Sequence, residues 1–212
     1  MSYKKTLDNI ASELESIMQL AAAFEIPTED FGWVNKRYVG ENFRMAHIER
    51  YSDKNLEVLH FTCFPNPTFQ HPIFGFDIIT TDKKPLAAFM DWSPVDNKVS
   101  IESRYTFEKP YPLPDWAKLI FSPTALAIIP NDYEMDSLSN NVIESFELYL
   151  DVLNNSKETL NRTDYIIAAQ NRYCDNQQKN ERTYNVLKAK LGIEKAKYFM
   201  ENILFPKIEH YR

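Results

Sequence analysis

The pattern of residues along the chain predicts an α/β protein, a single-domain α/β/α sandwich with a central antiparallel sheet flanked by helices. Three observations carry this. Apolar residues recur at helical spacing near the N-terminus, apolar and polar residues alternate through the middle, and helical spacing returns from residue 137 onward. Strands grouped in the middle with helices at both ends form a sheet whose faces the helices cover.

Taken in order, residues 4–24 carry Leu7, Ile10, Leu14, Ile17, Met18 and Ala21 at spacings of three and four, which marks an amphipathic helix. From Asn42 to Tyr51, the residues Phe43, Met45, His47, Glu49 and Tyr51 share one parity; from Leu56 to Phe64, so do Leu56, Val58, His60, Thr62 and Phe64. Ser52-Asp53-Lys54-Asn55 between them is rich in turn formers, so the two runs read as a β-hairpin. If that loop joins Tyr51 directly to Leu56, Glu49 faces Val58 and His47 faces His60. Facing residues point to the same side of a sheet. Strands over 73–80 and 86–91 complete a four-stranded meander, KPYPLPDW (109–116) is loop, and TALAIIP (124–130) is a fifth strand ending at Pro130. Helical spacing marks 137–155 through Val142, Phe146, Tyr149 and Leu153, and most of 157–204 also reads as helix, broken near Gly192. With no repeat, low-complexity tract or linker, residues 1–212 read as one domain.

Composition removes several function classes. Hydrophobic residues make up 44% and aromatics 14% of the 212 residues, enough to line a pocket for a flat ligand. No apolar run approaches the roughly 18 residues that span a bilayer, and the N-terminal segment carries acidic residues where a signal would be apolar, so a cytoplasmic location without membrane attachment is expected. Cys63 and Cys174 lie in unrelated contexts, which offers neither a thiolate metal centre nor a disulfide. The four glycines form no phosphate-cradling loop, so a bound nucleotide cofactor is not expected. A formal net charge of −6 argues against nucleic acid as a partner. A monomer is expected.

The segment LEVLHFTCFPNPTFQHPIFGFD sets His60 and Asp77 in apolar, strand-like runs. A lone strand histidine is more often a satisfied core residue than a catalyst. Asp77, in PIFGFDII, is less ordinary: burial of an unpaired carboxylate costs several kcal/mol, and that cost raises a carboxyl pKa and makes a proton donor. Glu49 has the weakest claim alone, since a strand glutamate usually faces solvent. On one face, the three form a candidate proton-handling pocket.

The segments FRMAHIE (43–49), LHFTCFPNP (59–67), PIFGFDII (72–79), DWSP (91–94), LPDWAKLIFS (113–122) and NRYCDNQQKNERTYNVLKAKLG (171–192) resemble, in order, those of the ferredoxin-dependent bilin reductases. The resemblance implies a bilin pocket between the sheet and the C-terminal helices. It also implies reduction of biliverdin IXα to a phycobilin by four electrons from reduced ferredoxin, one at a time, through bilin radicals and with no bound cofactor or metal. The family's proton-donating pair falls on His60 and Asp77, and its glutamate linked to exovinyl reduction in the phycocyanobilin-forming branch falls on Glu49. The neighbouring family histidine falls on His47. Glu181 stands where the family has a second acid, beside Asn180; Arg182 and Lys109 are candidates to hold the substrate's propionates. Ile129 replaces a family arginine, and the hairpin turn and the stretch between DWSP and LPDW are shortened. Retention of Glu49 favours phycocyanobilin as product, while the compact chain is like phage-encoded relatives that form phycoerythrobilin. A non-catalytic bilin-binding or chaperone-like protein is the alternative, one that would need fewer buried acids. Lys179, Arg182, Lys188, Lys190, Lys195 and Lys197, set against Glu181 and Glu194, form a basic stretch suited to docking ferredoxin.

Overall fold

In a computed structural model of the chain, residues 2–95, 105–113, 117, 118 and 120–209 are described. Seven antiparallel strands follow one another in sequence order across one sheet: β1 (Phe24–Ile26), β2 (Val34–Val39), β3 (Phe43–Ser52), β4 (Glu57–Pro65), β5 (Ile73–Thr80), β6 (Pro85–Ser93) and β7 (Leu126–Ile128). Helices α1 (Tyr3–Leu20) and α2 (Met135–Asn154) lie on one face; α3 (Thr163–Gln177), α4 (Glu181–Leu191), α5 (Ile193–Tyr198) and a wide π-helical turn, Phe199–Leu204, lie on the other.

Strand parity decides what each face meets. Ala46, Ile48, Leu59, Phe61, Cys63, Phe74, Phe76 and Ile78 point to one side and pack with Leu7, Ile10, Leu14 and Met18 of α1 and Val142, Phe146 and Tyr149 of α2. The opposite parity sends Met45, Phe64 and Ile73 into a second core with Cys174, Leu187, Phe199, Ile203 and Phe205. His47, Glu49, His60 and Asp77 share that second side, so the candidate site lies between the sheet and the C-terminal helices.

Three sequence readings are corrected. The hairpin pairs Ser52 with Glu57, so Glu49 faces His60, His47 faces Thr62, and Val58 faces Tyr51. The cause is the turn, which runs from Asp53 to Leu56: the Asp53 N–H donates to the Leu56 carbonyl at 2.9 Å, and Asp53 Oδ1 accepts from the Asn55 and Leu56 N–H groups at 2.8 and 2.9 Å. A slip of two residues leaves every side chain on its face but changes its neighbour. Second, the first helix stops at Leu20; Ala22 takes a positive φ of 53°, and Phe24 opens an edge strand. Strands β1 and β2 escape periodicity because Tyr38 is their one buried residue. Third, the helical stretch 157–204 breaks at Asn180 as well as at Gly192. Residues 96–104, in the shortened stretch between DWSP and LPDW, and 114–116 and 119 of LPDWAKLIFS lie outside the described residues.

Candidate active site

The corrected register builds the site. Glu49 on β3 pairs across to His60 on β4, and His60 pairs across to Asp77 on β5, so the three stand in one row across adjacent strands. His60 Nδ1 lies 2.7 Å from Asp77 Oδ1. Burial works against a charged imidazole, but the Asp77 carboxylate, by its charge and hydrogen bond, outweighs it and raises the His60 pKa, with Glu49 adding to the effect. His60 Nε2 is sealed and has no partner among the described residues.

The expected burial of Asp77 is not found. Its side chain is 37% exposed, because the face it shares with Gly75 and Ile79 is the wall of a cleft rather than a packed core. Burial falls on Glu49 instead, at 8% exposed, against the sequence reading of a solvated strand glutamate. Desolvation pushes the Glu49 carboxyl up to about 7; the His60 charge and a hydrogen bond from Trp33 Nε1 to Glu49 Oε1, at 2.9 Å, oppose the rise. His47 is fully buried, its Nε2 3.1 Å from Asn35 Oδ1 and its ring 6.0 Å from that of His60. Desolvation, then the charges of His60 and Arg37, hold its pKa well below the ordinary imidazole value, so His47 is a neutral ring behind His60.

Two adjoining lobes open in front of this row. Asp77, Ile79, Phe89, Tyr111, Asn180 and Arg182 line one of about 140 Å³; Trp33, Glu49, Tyr51, Val58 and Lys190 line the other, of about 240 Å³. Ile79, Arg182 and Thr183 belong to both. A wider depression of about 780 Å³ adjoins the first lobe through Leu113, Ile120 and Phe121, but its walls hold none of the three row residues. The chemistry therefore belongs to the smaller lobes. Helix α4 roofs them. Its one buried residue is Leu187, and its ends are tied by Arg182 Nη1 to the Tyr111 hydroxyl at 2.7 Å and by Lys190 Nζ to Asp53 at 2.7 Å.

Of the further sequence candidates, Asn180 and Arg182 reach the cleft, Asn180 as the N-cap of α4. Glu181 is exposed and lines neither lobe, because the first turn of α4 points it outward. The structure does not bring Lys109 there either: it lies beside β7 in a separate depression with Glu108, Ile129 and Tyr133. Lys188, Lys195 and Lys197 are exposed, whereas Lys190 is engaged with Asp53 and the Tyr51 ring. Sequence reasoning missed Trp33, Tyr111 and Phe205, the last with its ring 5.9 Å from that of His60; no spacing ties them to the row. Among the described residues no group of three His, Cys, Asp or Glu is placed to hold a metal ion, and no helix is long and apolar enough to cross a membrane.

Comparison with known proteins decides the family. The profile of the ferredoxin-dependent bilin reductases matches residues 9–206. This chain belongs to that family. Its members are oxidoreductases that use ferredoxin. A phycocyanobilin:ferredoxin oxidoreductase of Prochlorococcus marinus is 33% identical over 190 residues, 84% of this chain and 76% of that one. The protein of the same description from Trichodesmium erythraeum is 29% identical over 81% of this chain and 75% of its own. The fold is shared with phytochromobilin synthase from tomato, solved in complex with biliverdin, at a TM-score of 0.75 and 19% identity over 96% of this chain and 83% of that one. A solved PcyX structure gives 0.70 and 24%, covering 96% of this chain and 99% of that chain.

Proposed function

We propose that the protein reduces biliverdin IXα to phycocyanobilin, taking four electrons singly from ferredoxin and supplying four protons from its own side chains and solvent. The row Glu49–His60–Asp77 carries this reading, because it sets one open and one buried acid against opposite ends of a cleft. A conjugated tetrapyrrole holds an added electron as a radical and becomes more basic. The protein then needs no redox centre of its own, only proton donors at chosen positions.

Asp77, with Oδ1 held by His60, presents its carboxyl to the first lobe and is the central donor. Glu49, raised to about 7, is protonated for a large fraction of the time at neutral pH and donates in the second lobe, where the exovinyl group would lie. Its retention supports phycocyanobilin over phycoerythrobilin. Arg182, exposed between the lobes, is placed to meet a propionate. Ferredoxin docks on the basic C-terminal face through Lys188, Lys195 and Lys197.

Asp77→Asn tests the central step. It keeps shape and removes the acid, so biliverdin should still bind while turnover stalls at a long-lived bilin radical seen by electron paramagnetic resonance. Wild-type rate in this variant would remove Asp77 from the mechanism. Chromatography of the wild-type product separates phycocyanobilin from phycoerythrobilin. Replacing Lys188 and Lys195 by Glu should slow turnover at low salt and subsaturating ferredoxin with biliverdin affinity unchanged; unaltered turnover would place docking elsewhere.

A further inference from the structure

We infer that Trp33 is a positioning residue for Glu49: its indole N–H fixes one carboxyl oxygen and so assigns the acid's proton to the other, the oxygen that serves the second lobe. Trp33 lies just ahead of β2, and its backbone is pinned on both sides. The Gly32 N–H donates to Asp30 Oδ1 at 2.8 Å, and Asn35 Nδ2 donates to the Trp33 carbonyl at 3.3 Å. The ring sits among aromatics, 5.4 Å from Tyr51, 5.6 Å from Phe199 and 6.2 Å from Phe31. From this seat Nε1 reaches Glu49 Oε1 at 2.9 Å, and both residues line the same lobe.

An indole is a donor only. Glu49 Oε1 must therefore accept in either protonation state, and when the acid is neutral its proton lies on Oε2. That oxygen has no hydrogen-bond partner among the described residues. A carboxyl free to rotate would present its proton in several directions, only some of them productive, so a single fixed acceptor contributes orientation. The N–H also favours the carboxylate over the acid, in opposition to burial. The other titratable or charged groups facing Glu49 are His60 on β4, Asp77 on β5, His47 and Tyr51 on β3, and Arg182 and Lys190 on α4. None of them is hydrogen-bonded to its carboxyl.

The proposal rests on bilin reduction for the identity of the proton acceptor, but its core is testable without substrate. In substrate-free protein the ¹⁵N–¹H resonance of the Trp33 indole should titrate with a midpoint near the Glu49 value of about 7, and Glu49→Gln should abolish that titration. Trp33→Phe, which keeps an aromatic ring and deletes the donor, should move the Glu49 midpoint, read from ¹³C-carboxyl resonances, to higher pH. In turnover, the same variant should lower exovinyl reduction by about tenfold on the acid side, where Glu49 is neutral, the size expected for losing one orienting hydrogen bond, and shift the alkaline limb upward. An indole resonance that ignores Glu49→Gln would overturn the proposal even if Trp33→Phe does not fold. So would a slowed Trp33→Phe enzyme whose Glu49 midpoint has not moved, since that is the signature of packing alone. If the wild type fails to reduce biliverdin, the functional reading falls while the titrations still decide the pair.

Discussion

Glu49 stores a measurable cost in the folded chain. Its carboxyl titrates near 7 when folded and near 4.5 when free, so between these values the folded state binds the extra proton and stability falls as pH rises. Glu49→Gln removes this dependence. Relative to wild type at equal pH, the variant should gain up to about 3 kcal/mol at pH 8 compared with pH 4, read from denaturant midpoints at both pH values. A difference that does not change with pH would mean that Glu49 is not desolvated. At this scale the sequence showed which residue types share a face and little of their surroundings. Asp77 reads as buried because Phe76 and Ile78 flank it, but these neighbours point to the opposite side, and its own side is a cleft wall. The burial of Glu49 comes from Trp33, sixteen residues earlier, and from α4, more than a hundred residues later, and neither leaves a mark in the local pattern.

Turns and caps set the geometry of the elements. Alternation in β3 and β4 was legible, yet the register that places Glu49 beside His60 depends on where Asp53 starts its turn, a matter of one residue that periodicity does not report. Helical spacing also ran across the break before α4, although Asn180 followed by the acidic first-turn residue Glu181 carries the local signal for it. Asn180 Oδ1 accepts from the Arg182 and Thr183 N–H groups at 3.2 and 3.4 Å, and so fixes the start of the helix that carries Arg182 and Thr183 into the cleft. Asn180→Ala should cost about 1 kcal/mol of stability and weaken biliverdin binding, whereas Asn180→Ser should retain most of both. Unchanged binding in the alanine variant, measured by fluorescence quenching, would show that the cap does not organise the cleft. Gly192 ends the helix at a φ of 79°, a conformation that glycine adopts without strain.

For the molecule as a whole, a central antiparallel sheet covered by helices was legible from parity and helical spacing, but which helices cover which face was not, because spacing does not report the face a helix packs on. The edge strand β1 and its neighbour β2 were not legible, since half-solvated strands alternate weakly. One face is a closed core under α1 and α2; the other opens between the sheet and a lightly packed helix α4, and the acids stand on the open side. This arrangement suits a protein that delivers protons to a substrate whose electrons come from a partner. The most direct test is an anaerobic titration of the biliverdin-loaded protein with reduced ferredoxin, followed by visible absorbance and electron paramagnetic resonance. The account predicts a bilin radical that rises and decays, and a final pigment spectrum reached after about four electron equivalents per bound biliverdin. A biliverdin spectrum left unchanged by excess reduced ferredoxin would contradict it.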